Sequence, residues 1–136
     1  MIETTRTDAQ NPQDTPWTAR PWAGFDTETT GVNPRVDRLV SAAIVHRSNQ
    51  NPGGAEDPHV TSFEHQTWLA DPGVAIPPTA AAIHGITTEY ARKHGQPIEL
   101  VTEDVTAALA EHFRQGGVVV VFNAGFDLPL LEADAV

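Results

Sequence analysis

Residues 118–122, VVVVF, form an uninterrupted β-branched and aromatic run between Gly116-Gly117 and Asn123. A run this short and apolar reads as a strand covered on both faces, and such a strand needs helices layered around it. Its neighbours supply them. Upstream, PIELVTEDVTAALAEHFRQGG (97–117) sets Leu100, Val101, Val105, Ala108, Leu109, His112 and Phe113 at helical spacing and stops at the glycine pair. Downstream, NAGFDLPLLEADAV (123–136) opens a second helix with Asn123 or Gly125 near its start.

The front half of the chain has strand character. Trp22–Glu28, RLVSAAIVHR (38–47) and VTSFEHQTWLA (60–70) are expected strands, with a turn-rich hairpin loop at 48–59. After the loop DPGVAIPP (71–78), TAAAIHGIT forms one or two helical turns, with Thr79 as the expected cap and Gly85 as the stop. Three strands in sequence, then helix, strand, helix predict an α/β domain on a mixed sheet. The last helix stops in mid-pattern, so the domain is expected to be truncated on its C-terminal side. Residues 1–20, polar and without period, are expected to be a disordered tail, and 21–136 the domain proper.

Length and composition narrow the class. A chain of 136 residues makes one domain. It has no cysteine, hence no disulfide framework and no thiolate metal site. No run approaches the roughly 18 apolar residues of a membrane span, and the N-terminus lacks the apolar stretch of a secretory signal. A cytoplasmic protein without a membrane partner is expected. The net charge of −10 argues against nucleic acid held by phosphate neutralisation alone. That objection weakens if carboxylates hold divalent cations, which then become the largest local positive charges.

Such carboxylates are present. In FDTETTG, Asp26 and Glu28 are two apart on a strand, so they point together while Thr27 points away. Two carboxylates so close repel unless a cation sits between them, and oxygen-only ligands suit Mg²⁺ or Mn²⁺. The Thr-Thr-Gly turn that follows could turn backbone N–H groups toward a phosphate. A chance Asp-x-Glu on a solvated surface is the bland alternative. In VVVVFNAGFD, Asn123 and Asp127 lie at a strand exit and in the first helical turn, where both can face Asp26. A helix cap explains Asn123 alone and the helix dipole explains Asp127 alone. Neither explains two polar clusters at the ends of buried strands.

FDTETTG, then AAIHGIT, then VVFNAGFDLPLL resembles the DEDD-type 3′→5′ exonucleases, in particular the proofreading epsilon-subunit group of bacterial DNA polymerase III. The resemblance spans residues 22–136. It implies an RNase H-like fold and two-metal hydrolysis, with Mg²⁺ or Mn²⁺, at the 3′ end of single-stranded or frayed DNA (RNA possible), in proofreading or repair. The product would be a nucleoside monophosphate, and a DNA polymerase subunit a possible partner. Two cations about 3.5–4 Å apart would activate the attacking water and stabilise the leaving oxygen. By position, Asp26 would bridge both metals, Glu28 would complete the first site, and Asp127 would act through water. Thr27, Thr29, Thr30, Ile83, His84, Asn123 and Phe126 would contact or shape the pocket for the terminal nucleotide.

Members of this group also carry a third motif, a His followed by an Asp, downstream of the second. All six histidines here precede Asp127, so the general base and the fourth carboxylate are expected outside these residues. His84 with Glu89 imitates the spacing but lies between the first two motifs. The alternative reading is a catalytically inactive nucleotide- or partner-binding module.

Overall fold

The strand-forming front half builds one sheet in the computed structural model, which describes residues 16–48 and 62–134. Strands β1 (Trp22–Thr29), β2 (Leu39–Ser48) and β3 (Ser62–Asp71) pair antiparallel in sequence. Helices α1 (Pro78–His84) and α2 (Thr88–His94) follow. They lead to a two-residue strand, β4 (Gln96–Pro97), parallel to β3. Helix α3 (Ile98–Arg114), strand β5 (Val118–Val121) and helix α4 (Ala124–Asp134) complete the order. β5 pairs parallel with β1, so the sheet is mixed and runs β4-β3-β2-β1-β5. This is the α/β layering expected from the sequence.

The two faces of the sheet are covered differently. On one, Ala23, Phe25, Ala42 and Ile44 meet Ile98, Val101, Val105 and Leu109 of α3 and Leu130 and Leu131 of α4. On the other, Val40 packs with Ile76, Ala80 and Ala91, and with Leu69 beside them, under α1 and α2. A β-bulge divides neighbouring residues of β2 between the two clusters. The β1–β2 register shifts between Glu28, opposite Ser41, and Thr29, opposite Leu39. Val40 is the extra residue, so Leu39 turns to the first cluster and Val40 to the second.

Several local expectations change. α1 begins at Pro78, not after a Thr79 cap, because proline at the first helical position has no N–H to leave unpaired. Gly85 ends it at φ 77°, a conformation open to glycine. α2 was not anticipated: only Ala91 is buried along it, so it shows no apolar stripe. Its first turn is held by the Thr87 hydroxyl, which accepts the Tyr90 N–H at 3.2 Å. β5 is not covered on both faces, since Val119 and Val121 join the core while Val120 is 50% exposed. The end of the expected tail, Trp17–Ala19, forms a 3-10 turn. The Trp22 indole N–H donates to the Trp17 carbonyl at 3.1 Å, with the ring centroids 5.1 Å apart. Residues 1–15 of that tail, the 49–59 part of the hairpin loop and the first two residues of the expected strand 60–70 lie outside the described residues. Among the described residues no helix is long and apolar enough to cross a membrane.

Gly95 lets α2 close against the sheet, because a methyl there would fall on the Ala91 carbonyl and on the Ala70–Asp71 backbone. Gly95→Ala should therefore cost about 1–3 kcal/mol, the usual overpacking range. Gly24→Ala, which meets nothing within 4 Å, should be neutral or stabilising. Urea denaturation of both variants checks this, and equal stabilities would rule it out.

Candidate active site

β1 carries the site because its two faces lead to different partners. Ala23 and Phe25 are buried in the helical core, so Thr27 continues that face, while Asp26 and Glu28 project from the opposite one. Asp26 is exposed and Glu28 half-buried. From the core side α4 brings Asp127, only 4% exposed, and the Thr27 hydroxyl donates to its Oδ1 in a short hydrogen bond.

Asp127 is buried because of where it falls on α4. It shares a helical stripe with Leu130 and Leu131, both in the core. Burying two leucines contributes about 1.5–3 kcal/mol each. That offsets the roughly 3 kcal/mol cost of Pro129 inside the helix, so the leucines rather than local propensity keep the turn in place. The helix starts where the Asn123 carbonyl accepts the N–H groups of Phe126 and Asp127, at 2.9 and 3.0 Å. Burial pushes the Asp127 carboxyl above the ordinary aspartate value of 3.8. The Thr27 hydroxyl pulls it back, and the Asp26 charge pushes it up again. Asp26 and Asp127 thus feel each other across β1.

The end of β1 is tied down from two sides. His84, at the end of α1, lies 3.2 Å through Nε2 from the Thr29 carbonyl, and its Nδ1 accepts the Ile86 N–H at 3.1 Å. With Nδ1 accepting, Nε2 is the ring nitrogen left to donate to the Thr29 carbonyl. The Thr29 hydroxyl donates to the Gly31 carbonyl at 2.5 Å. The turn expected to face a phosphate is instead closed on itself. Thr30 is buried, and its hydroxyl donates to Asp37 at 3.0 Å and accepts the Arg38 N–H at 2.9 Å. Asp37 lies against Gly31 in space that any Cβ would fill, and it also accepts the Asn33 N–H at 2.8 Å.

Sequence reasoning singled out ten residues, and they separate into groups. Thr27 and Asp127 are bonded on one face of β1, Asp26 and Glu28 project from the other, and Thr29 and His84 are bonded at its end. Ile83 stands beside His84 with 84% of its surface exposed, and Asn123 is exposed at the start of α4. Phe126 is half-buried against the core and Thr30 is turned into its loop. Sequence reasoning did not single out Asp37, the staple of the turn. Its spacing of seven residues from Thr30 gives no periodic signal. The cleft of about 780 Å³ lined by Trp22, His46, Arg47, Gln66 and His112 lies at the other end of β1 and contains none of these carboxylates.

Asp26, Glu28 and Asp127 make an all-oxygen donor set. As arranged, no three carboxylate, imidazole or thiolate side chains among the described residues are grouped so that they could hold a metal ion. Mg²⁺ takes one or two carboxylates and keeps several waters, so the donor chemistry fits it.

The site is thus a strand-borne Asp-x-Glu pair answered by an aspartate from the helix after the parallel neighbour strand. Residues 23–136 match the family described as Exonuclease (RNase_T), and the chain belongs to that family. A DNA polymerase III subunit epsilon-like protein of Rhodobacter capsulatus is 32% identical over 122 residues, covering 87% of this chain and 15% of that protein. The DNA polymerase III subunit epsilon of Treponema pallidum is 28% identical over 113 residues, covering 83% and 45%. The chain thus spans less than half the length of either relative. Among solved structures, Escherichia coli exonuclease I in complex with a dT13 oligonucleotide superposes with a TM-score of 0.64 at 19% identity, over 82% of this chain and 22% of that one. The fold is RNase H-like, and the chain is an epsilon-like member of its family.

Because the folded-state pKa of Asp127 is raised, its protonation favours the fold. That contribution is complete below the unfolded value of 3.8 and is lost as pH rises through the folded value. With metal chelated, Asp127→Asn should be more stable than wild type at neutral pH, and the difference should shrink as pH falls toward 3.8. Urea melts across pH measure it, and a pH-independent difference contradicts it.

Proposed function

We propose that this chain supplies the acidic site of a 3′→5′ exonuclease that hydrolyses the terminal phosphodiester of single-stranded or frayed DNA. The observation that carries the proposal is that buried Asp127 accepts from Thr27 and feels the charge of Asp26, at a strand that also presents Glu28. Asp26 and Glu28 would hold one divalent cation, Mg²⁺ or Mn²⁺, and Asp26 with Asp127 a second. When bound, these ions supply an activated water and charge stabilisation at the leaving oxygen.

The remaining steps belong to the protein. Thr27 fixes the Asp127 carboxylate so that one of its oxygens is already committed and its direction set. Asp26, being exposed, lies within reach of a polymer end. Both ring nitrogens of His84 are committed, to Thr29 and to Ile86, so it positions the end of β1 and does not serve as the base. Ile83 offers an apolar surface for the terminal sugar and base, and Thr29 and Asn123 lie nearby as polar contacts. Phe126, half-buried, backs the site from the core side. The similarity to epsilon subunits extends the proposal to association with a DNA polymerase.

Asp26→Ala should abolish Mg²⁺- or Mn²⁺-dependent release of nucleoside 5′-monophosphates from a 3′-unpaired oligonucleotide, measured by chromatography of the products. Residual nuclease activity in purified Asp26→Ala protein would falsify the assignment. Metal-independent nucleotide binding without turnover in the wild-type chain would instead favour a binding module.

A further inference from the structure

α2 serves no purpose in the site as described, yet its outer surface is distinctive. The chain's single tyrosine, Tyr90, and single lysine, Lys93, lie on it beside His94. At 100° per residue, Tyr90, Lys93 and His94 share one flank, Arg92 lies on the other, and Ala91 points into the core. Tyr90 is 52% exposed, and its ring centroid is 4.5 Å from that of His94 at 41°. Among the described residues no carboxylate pairs with Lys93 or His94. Basic residues in a last turn complement the helix dipole, which accounts for the charges. The dipole does not account for an aromatic ring held outward beside them.

We propose that Tyr90, Lys93 and His94 form a subsite for single-stranded DNA, taking the nucleotides that precede the 3′-terminal one. This rests on reading the carboxylates as a strand-end nuclease site. The subsite is joined to that site through the chain itself. His84 is bonded to the end of β1, α2 begins four residues later, and its seven residues span about 10 Å, the reach of a few nucleotides. Tyr90 with His94 offers a flat face for a base, and Lys93 a charge for a phosphate, the combination that grips single strands without reading their sequence. In a chain of net charge −10, a polyanion needs such a cationic strip on its way to the metals.

Anisotropy of a labelled oligothymidylate, with divalent metal chelated, tests this in the full chain. Tyr90→Ala should weaken binding between about 5-fold and 150-fold, the effect of one lost stacked base, and Tyr90→Phe should restore it. Lys93→Gln should reduce the slope of log affinity against log salt by about 0.7, one phosphate contact on a single strand. Arg92→Gln, on the opposite flank, should leave that slope unchanged. Bound oligonucleotide should also protect Lys93, the only lysine, from acetylation. Hydrolysis of the p-nitrophenyl ester of thymidine 5′-monophosphate, which reaches only the terminal site, should be the same in Tyr90→Ala as in wild type. If wild type hydrolyses neither ester nor DNA, the general base and fourth carboxylate expected outside these residues account for it, and the binding data still decide the subsite. The subsite is overturned if wild type does not bind the oligonucleotide, or if Tyr90→Ala and Lys93→Gln bind as wild type does.

Discussion

The hydrogen bond from Thr27 to Asp127 is the contact on which the arrangement of the site depends. It joins residues one hundred positions apart and crosses from β1, beside the edge strand β5, to the last helix. Without it a carboxylate that is 4% exposed would be left without a donor, and burial of such a charge is costly. With it, the rotation of α4 is set: Asp127 must face β1, and Leu130 and Leu131 then enter the core together. Helix α4 also carries an interior proline, so it has little reason of its own to hold this geometry. Packing on one side and a hydroxyl on the other hold it.

The same end of β1 is restrained at every neighbouring point. The bulge at Val40 divides the two clusters next to Glu28, His84 holds the Thr29 carbonyl, and Asp37 closes the turn beyond Thr30. A site that must hold metal-competent carboxylates in place benefits from supports that are themselves bonded. Those supports work against a local electrostatic cost. Asp26 raises the energy of charged Asp127, so the protein alone is less stable with both ionised. Carboxylates held close at some cost in stability are a common compromise between stability and function.

The strand pattern, the α3 helix and the Asp26–Glu28 pair were legible in the sequence, because each rests on a period of two or 3.6 residues. Asp127 could be placed near the pair only through its position at a strand exit together with the family resemblance, since its partner Thr27 is remote in sequence. Helix α2 was illegible because a single alanine docks it, and one buried residue makes no period. The exposure of Val120 was missed for a related reason. Four valines look alike in sequence, and only the edge position of β5 shows which side lacks a neighbour. Thr30 was assigned to the nucleotide pocket by the family resemblance, with no signal of its own for where its side chain points. Which way its hydroxyl points was decided by Asp37, through a tertiary contact with no local signature.

Charge is the remaining tension, and it has a spatial resolution. An acidic chain repels nucleic acid at long range, and that repulsion weakens beyond about 8 Å at physiological salt. What matters for a bound strand is the local field, and the carboxylates around β1 would lose their sign once cations sit on them. Lys93 and His94 project from a helix tethered to that strand through His84. Cations at the terminal phosphate and a lysine a short way back along the strand would contact a single-stranded end at two separated places. The surface between them need not be basic, because a strand held at both places is oriented along it. On this arrangement the acidity of the rest of the chain selects against DNA bound elsewhere, and the net charge becomes compatible with a nucleic-acid substrate.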